Sequence, residues 1–531
     1  MTAPAAATGA AAADGAEEPS RRTILVGALA GAVASAVVLG VLIRPIRVGP
    51  VGFDSAASVL HFDRIVSGTR LEAFVTTTPK PLLTVVYGLA HALVPDWRVI
   101  SLAVIAAAAL AVLLAVLLVA RAVPGTPWLM PVVVVPLVLL GSPSLVQDVG
   151  SAYAVPWALI GWLVAGLAAL GPRPRPWLMG LALMLATLAR LETAVISGFL
   201  ALALVVQVAR AATGRPAGSW SVRSLAGATA LAALALPVML VHDWLLTGNP
   251  MFWVTVSASF SSATASIPTP RDVLHAIGDV IWARPVQSVV AVAGLVALWT
   301  GRRRALLVGI LALGPGMSAF LVVLAARATY VSPRYYAAIE LDLAVLSAIG
   351  AAAVARELAD RTAAWRSSKN APATGLVAIA GGLVVAATVL GAPFAPLDRG
   401  VISTLHNQTA LARLGDRAEP SIAAQLAGSG LAGGQQRPAD SLPWLYLPAL
   451  LRPRLAVDLN LPLWAVTSVN TTILDPATKL RPGAAILHSR RFDPPQGGYA
   501  TLEAGGLVPV GSHRAQTIAT PDTGTWVLVV R

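Results

Sequence analysis

The chain has 531 residues, of which 56% are hydrophobic and 12% charged, with a mean hydropathy of +0.74, and no soluble domain of this size hides so much apolar surface from water. The lack of cysteine excludes a disulfide framework, a thiolate nucleophile and a cysteine metal site. A formal net charge of +13 would point to nucleic acid in a soluble protein, but the bases fall between apolar runs rather than in one patch, so no nucleic-acid partner is expected.

Residues 1–22 are Ala-rich and read as a disordered cytoplasmic N-terminus, since nothing there repays the entropy of ordering. Apolar runs follow at 23–43, 98–120, 128–141, 152–170, 177–189, 192–209, 223–246, 284–300, 304–326, 336–355 and 373–394. A helix needs roughly 20 apolar residues to cross a bilayer, because its backbone must satisfy itself in hydrocarbon. The reading is a mainly α polytopic bundle of about 11 spans over 23–394. With the N-terminus inside, alternate loops carry Arg121; Arg173 and Arg175; Arg210, Arg215 and Arg223; Arg302, Arg303 and Arg304; and Arg356, Arg361, Arg366 and Lys369. Each obeys the positive-inside rule. Arginine outnumbers lysine 35 to 3 and Ala, Val, Leu and Gly dominate, the coding bias of a GC-rich bacterium, so the expected location is a bacterial cytoplasmic membrane.

The first outer loop, 44–97, departs from that charge pattern with Arg44, Arg47, Arg64, Arg70 and Lys80, and Arg98 at its end. Cations outside answer either a functional anion such as a lipid phosphate or the anionic headgroups of membrane lipids. Within the loop, the run Ala56 to Phe62 suits a short interfacial helix, and Leu82 to Leu93 a second. Asp54 stands near the start of the first, where a carboxylate serves as a dipole cap, a general base or a metal ligand. Asp63, nine residues on, need not share its face and has Arg64 beside it. Lys80 is one of three lysines and is pinned between Pro79 and Pro81; it suits either a phosphate oxygen or the headgroup level.

Arg190 and Glu192 interrupt an apolar region at its outer end and either satisfy each other or serve a site. His242, Asp243 and Trp244 end another run before the turn signal Thr247-Gly248-Asn249-Pro250. Arg334, in Ser332-Pro333-Arg334-Tyr335-Tyr336, opens the run at 336–355, and a guanidinium with phenols such as Tyr336 suits either a phosphate or the interfacial belt. Glu340 and Asp342 follow, placed to pair with these bases or to face a polar cavity. The seven histidines have no ligand spacing, and metal use stays open: a divalent cation on Asp54 and Asp63 is one possibility.

Residues 395–531 are richer in Pro, Asp, Arg and Gln. A helix over Thr409 to Leu426 precedes expected strands at Ala456–Leu459, Ala484–Leu487 and Trp526–Val530, giving a small extracytoplasmic α/β domain. Gly428-Ser429-Gly430-Leu431-Ala432-Gly433 matches G-x-G-x-x-G but follows a helix, so it reads as linker.

At Asp54, Lys80-Pro81-Leu82, Arg190 with Glu192, Gly248-Asn249-Pro250 and Arg334-Tyr335-Tyr336, the chain resembles the polytopic GT-C glycosyltransferases, in particular the lipid-phosphosugar-dependent branch of protein O-mannosyltransferases and aminoarabinose transferases. The likeness covers roughly the first 350 residues. It departs at Ser55, where the family has a second acidic residue, and at Leu82, where it has a second proline. The resemblance implies a polyprenyl-phosphate sugar donor and a cell-envelope glycan, lipid or protein acceptor. It makes Asp54 the base for an acceptor hydroxyl, with Lys80 and Arg334 neutralising the leaving phosphate, Arg190 and Tyr336 beside it, and Asp63 and Glu192 supporting. The other reading is a transporter or lipid flippase, which would place its ionisable groups at the midplane rather than at one face.

Overall fold

The structure is a computed structural model that describes residues 21–42, 52–71, 79–170, 174–213, 220–255, 268–329, 331, 333–367, 399–426, 445–447, 451–468, 485–488, 514–520 and 524–530. The helices in chain order begin with α1 (Arg21–Leu42), α2 (Phe53–Val66), α3 (Pro81–Leu93), α4 (Arg98–Ala122), α5 (Leu129–Leu140) and α6 (Pro143–Gly150). They continue with α7 (Val155–Leu170), α8 (Pro176–Ala189), α9 (Ala194–Ala212), α10 (Val222–Ala233), α11 (Ala235–Thr247), α12 (Pro270–Trp282) and α13 (Pro285–Thr300). Last come α14 (Arg304–Leu311), α15 (Met317–Ala326), α16 (Ala337–Ser367), α17 (Arg399–Leu426) and α18 (Arg452–Asp458).

Prolines set several of these starts. Pro81, Pro143, Pro176, Pro270 and Pro285 each occupy a first turn, where the missing N–H costs nothing and the fixed φ already suits a helix. Two such starts follow a sharp change of direction, 70° between α5 and α6 and 89° between α12 and α13.

This is a multi-pass membrane protein. Among the described residues, six helices are long and apolar enough to cross a membrane, or up to eight if each bent pair is one span. The expected runs at 152–170 and 177–189 form the apolar but shorter α7 and α8, and the run at 373–394 lies outside the described residues. Helix α4 runs through the core, with Ile100, Val104, Ala111, Val116 and Val119 fully buried. Small residues bring backbones together elsewhere: a Cβ at Gly350 of α16 would lie 2.0 Å from the Val290 carbonyl oxygen of α13.

Helices α2 and α3 form a hairpin with an equally close contact. The Phe62 ring of α2 sits where a side chain at Gly88 of α3 would be, its Cγ only 2.0 Å from the position of a Cβ. The C-terminal segment holds a five-stranded sheet of order β2-β1-β3-β5-β4, built from β1 (Leu445–Leu447), β2 (Val466–Ser468), β3 (Ala485–His488), β4 (Arg514–Thr520) and β5 (Gly524–Val530). β1 is parallel to β2 and β3, and β5 is antiparallel to β3 and β4. Ala412, Leu414, Ala418 and Ile422 of α17 pack with Leu445, Leu447 and Leu455.

The strand expected at Ala456–Leu459 is instead the end of α18. Pro453 in its first turn favours a helix, and Leu455 and Ala456 are buried side by side, which a strand with one wet face would not allow. The glycine motif at 428–433 lies outside the described residues.

Candidate functional site

The site is assembled from the start of α2 outward. Gly52 precedes the helix so closely against its neighbour that a Cβ there would lie 1.9 Å from the Ser151 carbonyl oxygen. Ser55 Oγ–H donates to the Gly52 and Ser151 carbonyls at 2.8 and 3.1 Å. This anchors the first turn, in which Asp54 stands, to the loop between α6 and α7. Lys80 is the N-cap residue of α3, and the Thr84 N–H donates to its carbonyl at 2.9 Å.

Three side chains remote in sequence then meet. Asp54 Oδ2 lies 3.3 Å from Lys80 Nζ and 3.0 Å from Arg334 Nη1. Arg334 Nη2 donates to the Tyr153 hydroxyl at 2.8 Å, and its guanidinium carbon lies 3.8 Å from the centre of that ring. Burial alone would raise the Asp54 pKa, but Lys80 and Arg334 outweigh it and hold the carboxyl below the usual carboxylate range.

A second layer supports the first. Arg190 Nη2 donates to the Arg334 carbonyl at 3.2 Å, Nη1 lies 3.5 Å from Asp148 Oδ2, and the guanidinium also pairs with Glu192. The loop carrying Tyr153 is fixed by Ala152, which sits in the left-handed region at φ 54°. The Ala152 carbonyl accepts from the Tyr87 hydroxyl at 3.0 Å, and that hydroxyl accepts from Trp157 Nε1–H at 3.1 Å. Further along, Arg284 Nη2 donates to Glu340 Oε1 at 2.5 Å, and Ser144 Oγ–H bonds the other oxygen. Four carboxylates (Asp54, Asp148, Glu192, Glu340) thus face four bases (Lys80, Arg190, Arg284, Arg334), and all of these side chains but that of Arg334 are largely buried, where such a balance of charge is needed.

Asp54, Lys80 and Arg334 converge, and Arg190 with Glu192 reaches them through the Arg334 backbone. Asp63 does not join them: its half-exposed carboxylate lies 3.8 Å from Arg64 Nη1, because nine residues of helix turn it away. Tyr336 is partly buried against the helix core, and the phenol that meets Arg334 is Tyr153. Glu340 pairs with Arg284, whereas Asp342 meets none of these bases. Among the described residues, no group of three or more His, Asp or Glu side chains is disposed to hold a metal ion.

Sequence reasoning missed Tyr153, Asp148 and Arg284. Each lies near an end of an apolar run, and their chain positions give no sign of pairing across helices. It also passed over a buried chain below Lys80. Thr84 Oγ1 lies 3.1 Å from His242 Nε2, His242 Nδ1 lies 3.3 Å from Asp243 Oδ1, and Asp243 Oδ2 accepts from the Trp253 N–H at 2.9 Å.

No protein-family model and no curated protein matches the sequence. Among solved structures, the chain is similar to apo ArnT from Cupriavidus metallidurans, with a TM-score of 0.50 and 14% identity over 95% of this chain and 97% of that one. The chain has the GT-C fold. ArnT bound to undecaprenyl phosphate gives a TM-score of 0.48 at 16% identity, covering 94% and 97%. The oligosaccharyltransferase AglB from Archaeoglobus fulgidus, in complex with an inhibitory peptide and a dolichol-phosphate, gives 0.49 at 12% identity, covering 82% of this chain and 64% of that one. In this GT-C fold the Asp54 cluster lies where α2, α3, the α6–α7 loop and the start of α16 come together.

Proposed function

We propose that this protein is a membrane glycosyltransferase that moves a sugar from a polyprenyl-phosphate donor to a hydroxyl of a cell-envelope acceptor at the extracytoplasmic face, with Asp54 as general base. The observation that carries this reading is the meeting of one carboxylate with Lys80 and Arg334 on a GT-C fold. A carboxylate and two cations are what glycosyl transfer from a phosphate requires: a proton acceptor on one side of the anomeric carbon and charge neutralisation on the other. The same grouping at one face weighs against a midplane transport path.

In the reaction, the acceptor oxygen attacks the anomeric carbon as its proton passes to Asp54. The bond from that carbon to the phosphate oxygen breaks, and the polyprenyl phosphate leaves with the electron pair against Lys80 and Arg334. A single in-line displacement inverts the anomeric centre. Without donor, both cations are spent on Asp54, which makes it a weak base. A donor phosphate that draws them away restores basicity when it is needed. Asp148, Glu192 and Arg190 hold Arg334 in place through its carbonyl. In this reading 23–394 is the catalytic module, 395–531 is an extracytoplasmic domain that holds the acceptor, and the N-terminus is cytoplasmic.

The test gives purified protein a labelled polyprenyl-phosphate sugar and follows transfer and release of the polyprenyl phosphate. Turnover that survives Asp54→Asn undiminished would remove the base from this scheme.

A further inference from the structure

A second polar feature lies away from the Asp54 cluster. A cavity of about 100 Å³ is enclosed by α4, α7, α8, α9, α14, α16 and Leu313, and its lining is apolar apart from Asp342 and Trp162. Asp342 is 4% exposed and Trp162 9%. The Asp342 Oδ1 and the Trp162 Nε1 are both buried without a hydrogen-bond partner among the described residues. A carboxyl oxygen and an indole N–H left unsatisfied in such a place each carry an uncompensated desolvation cost. With both residues lining one cavity, Trp162 from α7 and Asp342 from α16, a donor and an acceptor are on offer to something that enters.

The backbone is shaped for the carboxyl. Ala312–Gly316 is a turn of π-helix containing Pro315, an irregularity frequent at functional sites. A Cβ at Gly314 within it would lie 2.3 Å from Asp342 Oδ2, so only glycine leaves room. Gly309 and Gly166 are partly exposed, and the neighbouring Ala305 is exposed, which gives the cavity a mouth bordered by small residues.

The geometry points to a binding site for an alkyl alcohol, with its hydroxyl between Asp342 and Trp162 and its chain leaving past Gly309 toward lipid. One hydroxyl oxygen accepts from the indole N–H and also pairs with the carboxyl, whichever protonation state that carboxyl holds. An ammonium would answer the carboxylate but leave the indole N–H unpaired. The volume fits the polar end and a short stretch of chain, since a cavity of about 150 Å³ takes a benzene ring. The site does not depend on the glycosyltransferase reading.

The experiment photolabels the full chain in lipid nanodiscs with a diazirine-bearing octanol and maps adducts by peptide mass spectrometry. Adducts should fall within 155–170 and 337–345, and 1-octanol should compete while octylamine does not. Asp342→Leu and Trp162→Phe should each cut labelling at least fivefold, and Asp342→Asn, which keeps hydrogen-bonding capacity, should stay within twofold. Gly309→Leu adds bulk at the mouth, where nothing lies within 4 Å of a Cβ, and it should cut labelling at least fivefold in a protein that still elutes as one species. Adducts elsewhere, labelling indifferent to these substitutions, equal loss in the Asn and Leu variants, or better competition by octylamine would each overturn the assignment.

Discussion

The two ends of α2 meet different parts of the molecule. At its N-terminal end Asp54 faces Lys80 and Arg334, side chains carried by the membrane-spanning region and its first hairpin. At its C-terminal end the buried Arg64 donates from Nη2 to the Leu461 carbonyl at 3.1 Å, while Ala57 and Leu60 between them pack on Ala456 and Leu463. Nearby, Trp97 Nε1–H donates to Asp458 Oδ1 at 2.8 Å, and Arg454 holds Asp458 at 3.3 Å. A short helix outside the spans thus carries a charge cluster at one end and a docking contact for the C-terminal segment at the other. The difference teaches that chemistry and assembly can be perturbed separately on one element.

The largest effect is expected at the N-terminal end. Asp54→Asn should lower kcat by about 10²–10⁴-fold, the range for loss of a general base. Donor KM should hold or fall, since the substitution removes the carboxylate that competes with phosphate for Lys80 and Arg334; steady-state release of polyprenyl phosphate measures both. Lys80→Ala and Arg334→Ala come next, each lowering kcat by about 10²–10³-fold, as for a lost electrostatic contact to a leaving group.

At the other end the readout changes. Arg64→Ala should cost about 1.5–3 kcal/mol, as for a hydrogen bond to a charged group, and speed proteolysis around α18, with kcat reduced less than tenfold. A loss of kcat as deep as that of Asp54→Asn would collapse the distinction between the ends.

The smallest effect concerns His61, midway along α2 with a buried and unpartnered Nε2. Burial first, then His242 and Lys80, hold its pKa well below the ordinary histidine value of 6.5. The unfolded chain therefore binds a proton that the folded one refuses, and stability falls as pH drops below 6.5. The slope should steepen toward about 1.4 kcal/mol per pH unit as pH falls, and His61→Phe should flatten it in thermal unfolding between pH 6.5 and 5.5.

The sequence was readable where chemistry is rare in its surroundings. Lys80 stood out as one of three lysines held by prolines, and Asp54 and Arg334 as ionisable groups at outer ends of apolar runs. Ten of the eleven apolar runs fall on helices because hydropathy alone dictates what a bilayer accepts. Pairing between helices was hidden. Arg284 finds Glu340 across 56 residues, and Arg334 finds Tyr153 across 181, distances that no local pattern encodes. The segment at Ala456 is misread for the opposite reason: four residues, three of them apolar, fit a strand or a buried helical turn, and the packing on α2 decides.

The notch at Gly88 sets how near the helices carrying Asp54 and Lys80 can come. Phe62 fills it, so a methyl group added there has nowhere to go and must pry the Asp54 helix off the Lys80 helix. Position 88 touches neither carboxylate nor cation, yet in a saturation screen for transfer it should tolerate as little change as Asp54 itself.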